Sequence, residues 1–438
     1  MMKMNKPLLV LAFLGIFPFA KSQSVKQLSL AEAIELGLQN SQNLQIDEAK
    51  IQEATANYLE AKNNRLPSLK ASASALALAN ANVDLKIAPP AQGGGAAPKA
   101  NSAFFGNVSA SLPIFAGGRI KYGIQSADYL ITAAKLSTEN DKLAIEYNIA
   151  QAYTNLFKAG QQIKVLEENL ASSQKRDLSF QKLEDNGVIA RNDKLKANLQ
   201  TSNIELQLLD AQNNYNIATI NMDLLLGLPE STVLEVDPNY ISELEENQDV
   251  SYYVNKAFQL RTDLQSLEYQ QKASELGIKA AKAESLPTIA LTGGYVAAEI
   301  PKILTVTNAA NIGVGVQYNI DNLWKKNSSL MRATATDKKL AASRELLNDQ
   351  IKREVNRDFQ MSEFAKKKIA VLEKSATQAN ENFRVINNKY NNGLATITEL
   401  LDADAAQVTA NVNVINAKAD AALAYRKLLQ SAGVVTTK

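Results

Sequence analysis

The chain has 438 residues, with 47 Lys and Arg against 45 Asp and Glu, a formal net charge of +2, and neither Cys nor His. It therefore has no thiol nucleophile, no imidazole base, none of the commonest zinc ligands, and no cysteine to carry a lipid at a mature N-terminus. The balanced charge implies no nucleic-acid partner, and a single Trp with many Ala, Asn, Gln and Leu suits long helices better than a compact enzyme core.

In chain order, Lys3 and Lys6 precede an apolar run, Leu8–Phe19, and the small residues of Ala20-Lys21-Ser22 follow. This predicts a signal peptide over 1–22; the run is too short to span a membrane as a helix. Ser29–Asn64 reads as a helix with a Ser29/Glu32 capping box, the polar Asn40–Asn43 as a point of interruption, and Pro67 as its stop. Leu69–Ala75 alternates as a strand. Ala88–Ala100, with its Pro and Gly pairs, reads as an exposed loop. Phe104–Phe115 is a second strand with Val108, Ala110, Leu112 and Ile114 on one face.

After Gly117-Gly118 a helix runs to about Asn186. Its apolar residues Ile145, Ile149, Ala152, Leu156, Ala159, Ile163, Leu166 and Leu170 step by 4 and 3, the spacing of a coiled-coil seam. About 65 residues make a rod of about 100 Å. Asn186-Gly187 breaks it, and Asn192–Leu226 returns as a shorter helix closed by Gly227 and Pro229. Pro229–Val250 is irregular and acidic, which fits a solvated linker or a small belt packed on the rods.

The plan then repeats. Ser251–Ser285 is a helix stopped by Pro287. Ile289, Leu291 and Tyr295 mark one strand, and Val314, Val316, Tyr318 and Ile320 mark another. A second rod is expected from Trp324 to Asn391-Asn392-Gly393, and a last helix carries Val408, Val412, Ile415, Ala419 and Ala422. The repetition is literal: Asn107–Gly227 aligns with Gly313–Gly433 without a gap at an offset of 206 residues. Upstream, Asn43-Leu44-Gln45 and Leu66-Pro67-Ser68-Leu69 recur as Asp263-Leu264-Gln265 and Leu286-Pro287-Thr288-Ile289 at an offset of 220, so the first copy carries a 14-residue insertion. The expected organisation is 1–22 signal peptide, 23–228 first repeat, 229–250 acidic connection, 251–433 second repeat and 434–438 tail.

Four strands are too few to close a barrel, and a sheet in lipid cannot keep unpaired edges, so strands of this kind in a membrane require several chains per barrel. A pair of soluble hairpins capping a helical bundle fits the same alternation. On the apolar phase, Val108, Leu112, Ile114, Leu291, Val314, Val316, Tyr318 and Ile320 are the candidates for a lipid-facing wall. Glu399 and Asp402 share one helical face; without a pocket or nucleophile they suit a pore mouth better than an acid/base pair. Gly313-Val314-Gly315 lacks the third glycine of a dinucleotide site, and Lys366-Lys367-Lys368 reads as a solvated rod face.

Several stretches carry a resemblance. Leu66-Pro67-Ser68-Leu69 and Leu286-Pro287-Thr288-Ile289, the strand-to-rod turn Leu112–Arg119, the close Leu225–Pro229, and Tyr390-Asn391-Asn392-Gly393 before Glu399–Ala403 together resemble the outer membrane efflux proteins, the TolC-like channels, over nearly the whole mature length. The resemblance implies a mainly α, mixed α/β membrane protein: a coiled-coil tunnel plus four strands per chain in a shared, trimeric twelve-stranded barrel. It implies a homotrimer in outer membrane lipid that serves as the exit duct of a tripartite efflux or type I secretion system. The implied partners are a periplasmic adaptor and an inner-membrane RND or ABC transporter; no cofactor is implied. The turns Asn186, Gly187, Val188 and Asn392, Gly393, Leu394 would meet the adaptor at the periplasmic tip. Asp193 and Tyr390 stand where related channels bond one hairpin to the other in the closed state. Two features depart from the pattern: Asp321-Asn322-Leu323-Trp324 lacks a glycine pair, and Ala395 stands where some relatives carry an arginine. A periplasmic coiled-coil adaptor would need flanking β-rich segments that the sequence does not show, and a secreted coiled-coil protein would not need two alternating strand pairs.

Overall fold

The computed structural model describes residues 26–82, 99–230, 232–237, 240–241, 246–301 and 303–434. The expected signal peptide and positions 88–98 of the expected loop lie outside them. In chain order the elements are β1 (Lys26–Leu28), α1 (Leu30–Asn40), α2 (Gln42–Asn63), β2 (Ser68–Asn82), β3 (Lys99–Phe115), α3 (Arg119–Asp185), α4 (Arg191–Leu226), β4 (Leu234–Val236), α5 (Val250–Leu260), α6 (Thr262–Ala283), β5 (Thr288–Ile300), β6 (Leu304–Gln317), α7 (Ser328–Asn391) and α8 (Ile397–Ser431). The duplication is visible in the lengths: α1 and α5 have 11 residues each, α2 and α6 have 22 each, α3 and α7 have 67 and 64, and α4 and α8 have 36 and 35.

The described residues fall into two units. One draws on Ser41–Asn148, Glu243–Val371 and Asp420–Lys438. It holds a single antiparallel sheet in the order β2-β3-β5-β6, so the two repeats meet at the β3–β5 pairing and β2 and β6 are left as edges. The register aligns the apolar phases. Val108 pairs with Tyr295, and Leu112 with Leu291, which pairs in turn with Val314; Ile289 pairs with Val316. Directly opposed residues share a face, so these side chains form one apolar surface. The opposite face carries Ser68, Ser111, Thr292 and Gly313 in one row and Lys70, Ser109, Gly294 and Asn311 in the next. The helical part of this unit is closed by Tyr253, Ala257, Leu264, Ile351, Val355, Leu428 and Ala432.

The other unit draws on Met1–Asn40, Ile149–Ser242 and Leu372–Ala419. Here the expected seam of α3 is inside: Ile149 and Leu156 are fully buried and Leu166 nearly so. The acidic segment is less irregular than its composition predicts. Leu234–Val236 pairs in parallel with Lys26–Leu28, and fully buried Tyr153 ties the pair to α3 by donating to the Leu28 carbonyl at 2.8 Å and accepting the Asp237 N–H at 3.0 Å.

Three expectations need correction. Tyr318 and Ile320 are not strand residues: β6 ends at Gln317, and Ile320–Leu323 is a 3₁₀ turn. Trp324 closes that turn instead of opening the rod, which begins at Ser328 where the Asn327 side chain accepts the Leu330 N–H at 2.8 Å. The reason is the missing glycine pair. Gly117 and Gly118 both sit at positive φ (62° and 88°) and turn β3 directly into α3, whereas the second repeat spends extra residues on a 3₁₀ turn. The helix expected over Ser251–Ser285 also breaks at Arg261 (φ −63°, ψ 118°), 220 residues after the matching break at Ser41 (φ −64°, ψ 116°). Finally, Ile114 stays in β3 but lies at a register shift between Pro113 and Phe115, a bulge beside the turn.

Candidate functional site: the hairpin tips and the amphipathic sheet

At each hairpin tip the long helix stops on the same device. Gly187 (φ 71°) donates to the Glu184 carbonyl and Val188 to Leu183; Gly393 (φ 72°) donates to Tyr390 and Leu394 to Lys389, all within 2.8–2.9 Å. These paired bonds satisfy the last carbonyls of the helix, and only glycine takes the left-handed position without strain. Asn186 and Asn392 add a side-chain bond, to the carbonyls of Lys182 and Asn388 at 2.6 and 2.7 Å. The adaptor-contact candidates are therefore held rigidly, with Asn186, Gly187, Asn392 and Gly393 exposed and Val188 and Leu394 presenting bare apolar side chains at 66% and 77% exposure.

Beneath the turns, the two hairpins share an apolar core of Phe180, Ala197, Ile397 and Leu400, with Leu183, Ile189, Phe383, Ile386, Tyr390 and Leu401 packed against it. Tyr390 lies edge-on to Phe180, with ring centroids 5.7 Å apart. Burial raises its phenol pKa, and the Asp193 carboxylate raises it further. Asp193 pairs with Lys196 at 3.7 Å. The two residues are thus electrostatic neighbours, but the contacts they make here are with other groups.

Glu399 is bonded within the start of its own helix. Its carboxylate accepts the Thr396 N–H at 2.7 Å and the Thr396 hydroxyl at 2.9 Å, while the Thr396 hydroxyl accepts the Glu399 N–H at 3.3 Å. This is a capping box, and these bonds, the backbone one first, hold the Glu399 pKa below the usual carboxylate range. Thr396-x-x-Glu399 was legible in the sequence as a helix start. Asp402, on the same face, is exposed as Glu399 is.

The firmest polar link between the hairpins involves residues that sequence reasoning missed. Arg176 on α3 donates to Asp404 on α8 at 2.5 Å, with side chains 16% and 5% exposed. Burial pushes the Asp404 pKa up and the guanidinium pulls it back. The signal was there: Asp404 falls four residues after Leu400 on the buried stripe, where a carboxylate needs a cation.

In the sheet, Val108, Ile114, Leu291, Val314 and Val316 are exposed apolar side chains and Leu112 is half-buried. The four strands are 13 to 17 residues long, more than the ~9–11 that cross a bilayer. No helix among the described residues is long and apolar enough to cross a membrane.

The sequence model for outer membrane efflux proteins matches residues 33–228 and 253–434. Comparison with curated proteins finds no match. Among solved structures, the fold is similar to the outer membrane protein VceC of Vibrio cholerae (18% identity, TM-score 0.74, covering 92% of this chain and 96% of that one). It is also similar to the open state of the MtrE outer membrane channel of Neisseria gonorrhoeae (18%, 0.73, 92% and 89%) and to a membrane protein from Pseudomonas aeruginosa (18%, 0.78, 93% and 91%).

Proposed function

The chain belongs to the outer membrane efflux protein family, and we propose that three copies join their four-stranded sheets edge to edge into a twelve-stranded barrel that opens the duct to the outside. The protein is an outer membrane efflux channel whose helical part lies in the periplasm. The observation that carries the barrel is the sheet itself: over the rows nearest the helices one face is apolar and the other polar, and two edges, β2 and β6, are left unpaired. In lipid those edges must find partners, because the hydrocarbon offers none, and a second and third copy supply identical ones.

The exposed tip turns around Val188 and Leu394 are the surface for a periplasmic adaptor, through which the duct would draw from an inner-membrane RND or ABC transporter. Tyr390 and Asp193 remain the gate pair: a small shift of the hairpins would bring the phenol to the carboxylate, a hydrogen bond of about 1.5–3 kcal/mol. Single-channel conductance of Tyr390→Phe checks this; a value equal to that of the parent rejects it.

Cysteine labelling tests the barrel. Cysteines at Val108, Leu291, Val314 and Val316 should react only with lipid-phase reagents, and those at Ser109, Asn311 and Gln317 with water-soluble ones. The reverse pattern would leave a soluble sheet. An Arg at Val108 or Val314 should cost about 2–4 kcal/mol.

A further inference from the structure

The polar face of the sheet does not stay polar. At the end from which the helices leave, its rows are Ser68, Ser111, Thr292 and Gly313, then Lys70, Ser109, Gly294 and Asn311. Farther out, Ser74, Phe105, Ala298 and Val306 are opposed in one row, and Leu76, Ile300 and Leu304 lie beyond it on the same face. Phe105, Leu76 and Leu304 are 41%, 47% and 47% exposed. On the other, apolar face the same rows carry Glu299 and Thr305 beside Phe104. At its outer end the sheet therefore carries apolar side chains on both faces.

Strand length gives the reason for the carboxylate: strands of 13 to 17 residues outrun the bilayer, so Glu299 stands beyond the hydrocarbon. Length does not explain apolar side chains on the water side. Inside a closed barrel, a molecule passing through meets that face. Charge narrows its chemistry. The charged residues of the four strands are Lys70, Lys99 and Glu299. Lys70 lies on the water side and, by alternation along β3, so does Lys99; the one carboxylate lies on the other face.

We propose that the outer rows of the water side, Leu76, Phe105, Ala298, Ile300, Leu304 and Val306, form an apolar collar between two sets of lysines that favours amphiphilic anions as cargo. This rests on the barrel proposed above. A cargo with an apolar body and a single negative charge meets Lys70 first, leaves its polar shell as its body slides along Phe105, and exits past Lys99. A small metal cation finds no carboxylate or thioether among the described residues on that side of the strands.

The test is single-channel recording of the full-length protein in planar bilayers with decanoate as probe and decyltrimethylammonium as its cationic counterpart. Decanoate should interrupt the current for longer than the cation does. Leu76→Ser with Phe105→Ser should shorten the interruptions about tenfold, the equivalent of removing part of one aromatic contact. Lys70→Gln with Lys99→Gln should make them about threefold rarer, and Phe104→Ser, on the other face, should change neither. Interruptions equally long in the Leu76/Phe105 variant, or a cation that blocks as long as decanoate, would overturn the collar. Failure of the barrel reading shows separately: a cysteine at Ser109 that reacts only from the lipid phase, or no conductance from the parent, removes the duct and the collar with it.

Discussion

The two repeats stop their long helices alike and start and brace their helices differently. Gly187 and Gly393 make the same cap, as do Gly227 and Gly433, whose following residues bond Asp223 and Leu429 at 2.8 and 2.9 Å. Stopping a long helix has one cheap solution, a left-handed glycine. Starting and bracing one has several. Thr396 caps α8 with Glu399, while the matching Ala190 gives α4 no side-chain bond, although Asp193 stands where Glu399 does. The break at Ser41 is capped by its own hydroxyl; the matching Arg261 braces its break with three partners. Buried Asp223 occupies the position of Leu429. Duplication kept the backbone, and the side chains diverged wherever more than one could satisfy it.

The largest effect expected from breaking this comparison is at Arg261. Its guanidinium is 14% exposed and bonds Asp263 at 2.7 Å, Glu354 at 2.8 Å and the Ser431 carbonyl at 3.1 Å. Those bonds, against burial, raise its pKa, and they help hold Glu354 low. Arg261→Met takes the guanidinium from two carboxylates, of which Glu354 keeps Lys427 at 3.5 Å and Asp263 keeps the Leu264 N–H at 2.8 Å. The cost should be about 3–5 kcal/mol, read as a fall in the melting temperature of the full-length protein. Ser41→Ala, at the matching break, should lose only about 1 kcal/mol. Equal losses would mean that the two breaks are braced alike.

Asp223 should respond in the opposite direction. It is fully buried, neither carboxylate oxygen has a hydrogen-bond partner among the described residues, and burial pushes its pKa up to about 6. A carboxyl whose folded pKa lies above its unfolded value of about 3.9 holds its proton more tightly when folded. Its penalty is absent below pH about 4, grows through pH 6, and is full above that. Asp223→Leu, the residue of the second repeat, should therefore stabilise the protein by about 2 kcal/mol near neutrality and by much less near pH 4. A gain that does not change with pH would show that packing, not ionisation, sets the difference.

These contrasts also mark what the sequence could and could not say. Periodicity and the two offsets carried the seam of Ile149, Leu156 and Leu166, the glycine stops at Gly187, Gly227 and Gly393, and the shared apolar phase of Val108, Leu112, Leu291 and Val314, because each follows from local chemistry repeated at a fixed spacing. The same offset pointed to the break at Arg261, but Arg has no capping signature of its own, so the helix read as continuous. Asp404 on its buried stripe called for a cation, but that Arg176 supplies it, and that Tyr153 holds β4, were out of reach, since these bonds join positions 228 and 84 residues apart that no local pattern links. Tyr318 and Ile320 kept the alternation of β6 after the strand had ended, which shows that alternation reports phase and not hydrogen bonding.

The smallest expected effect sharpens the comparison at the tips. Thr396→Ala removes the hydroxyl that accepts the Glu399 N–H and donates to the Glu399 carboxylate, and leaves the backbone N–H of position 396 to hold that carboxylate. It should cost about 1 kcal/mol. Ala190→Thr is the reciprocal change. Ala190 already has the extended backbone of a cap (φ −77°, ψ 148°), and the Asp193 N–H bonds its carbonyl at 3.0 Å, so a hydroxyl there can accept from the first turn of α4 without moving the chain. The gain should be somewhat under 1 kcal/mol, because Asp193 is one methylene shorter than Glu399 and is engaged by Lys196. Ala190→Thr with Asp193→Glu should complete the box, at the expense of the proposed bond to Tyr390. Hydrogen exchange at the amides of α4 after Arg191 reads the cap, and conductance reads the gate. Slower exchange with unchanged conductance would leave the capping contrast intact and remove Asp193 from the gate.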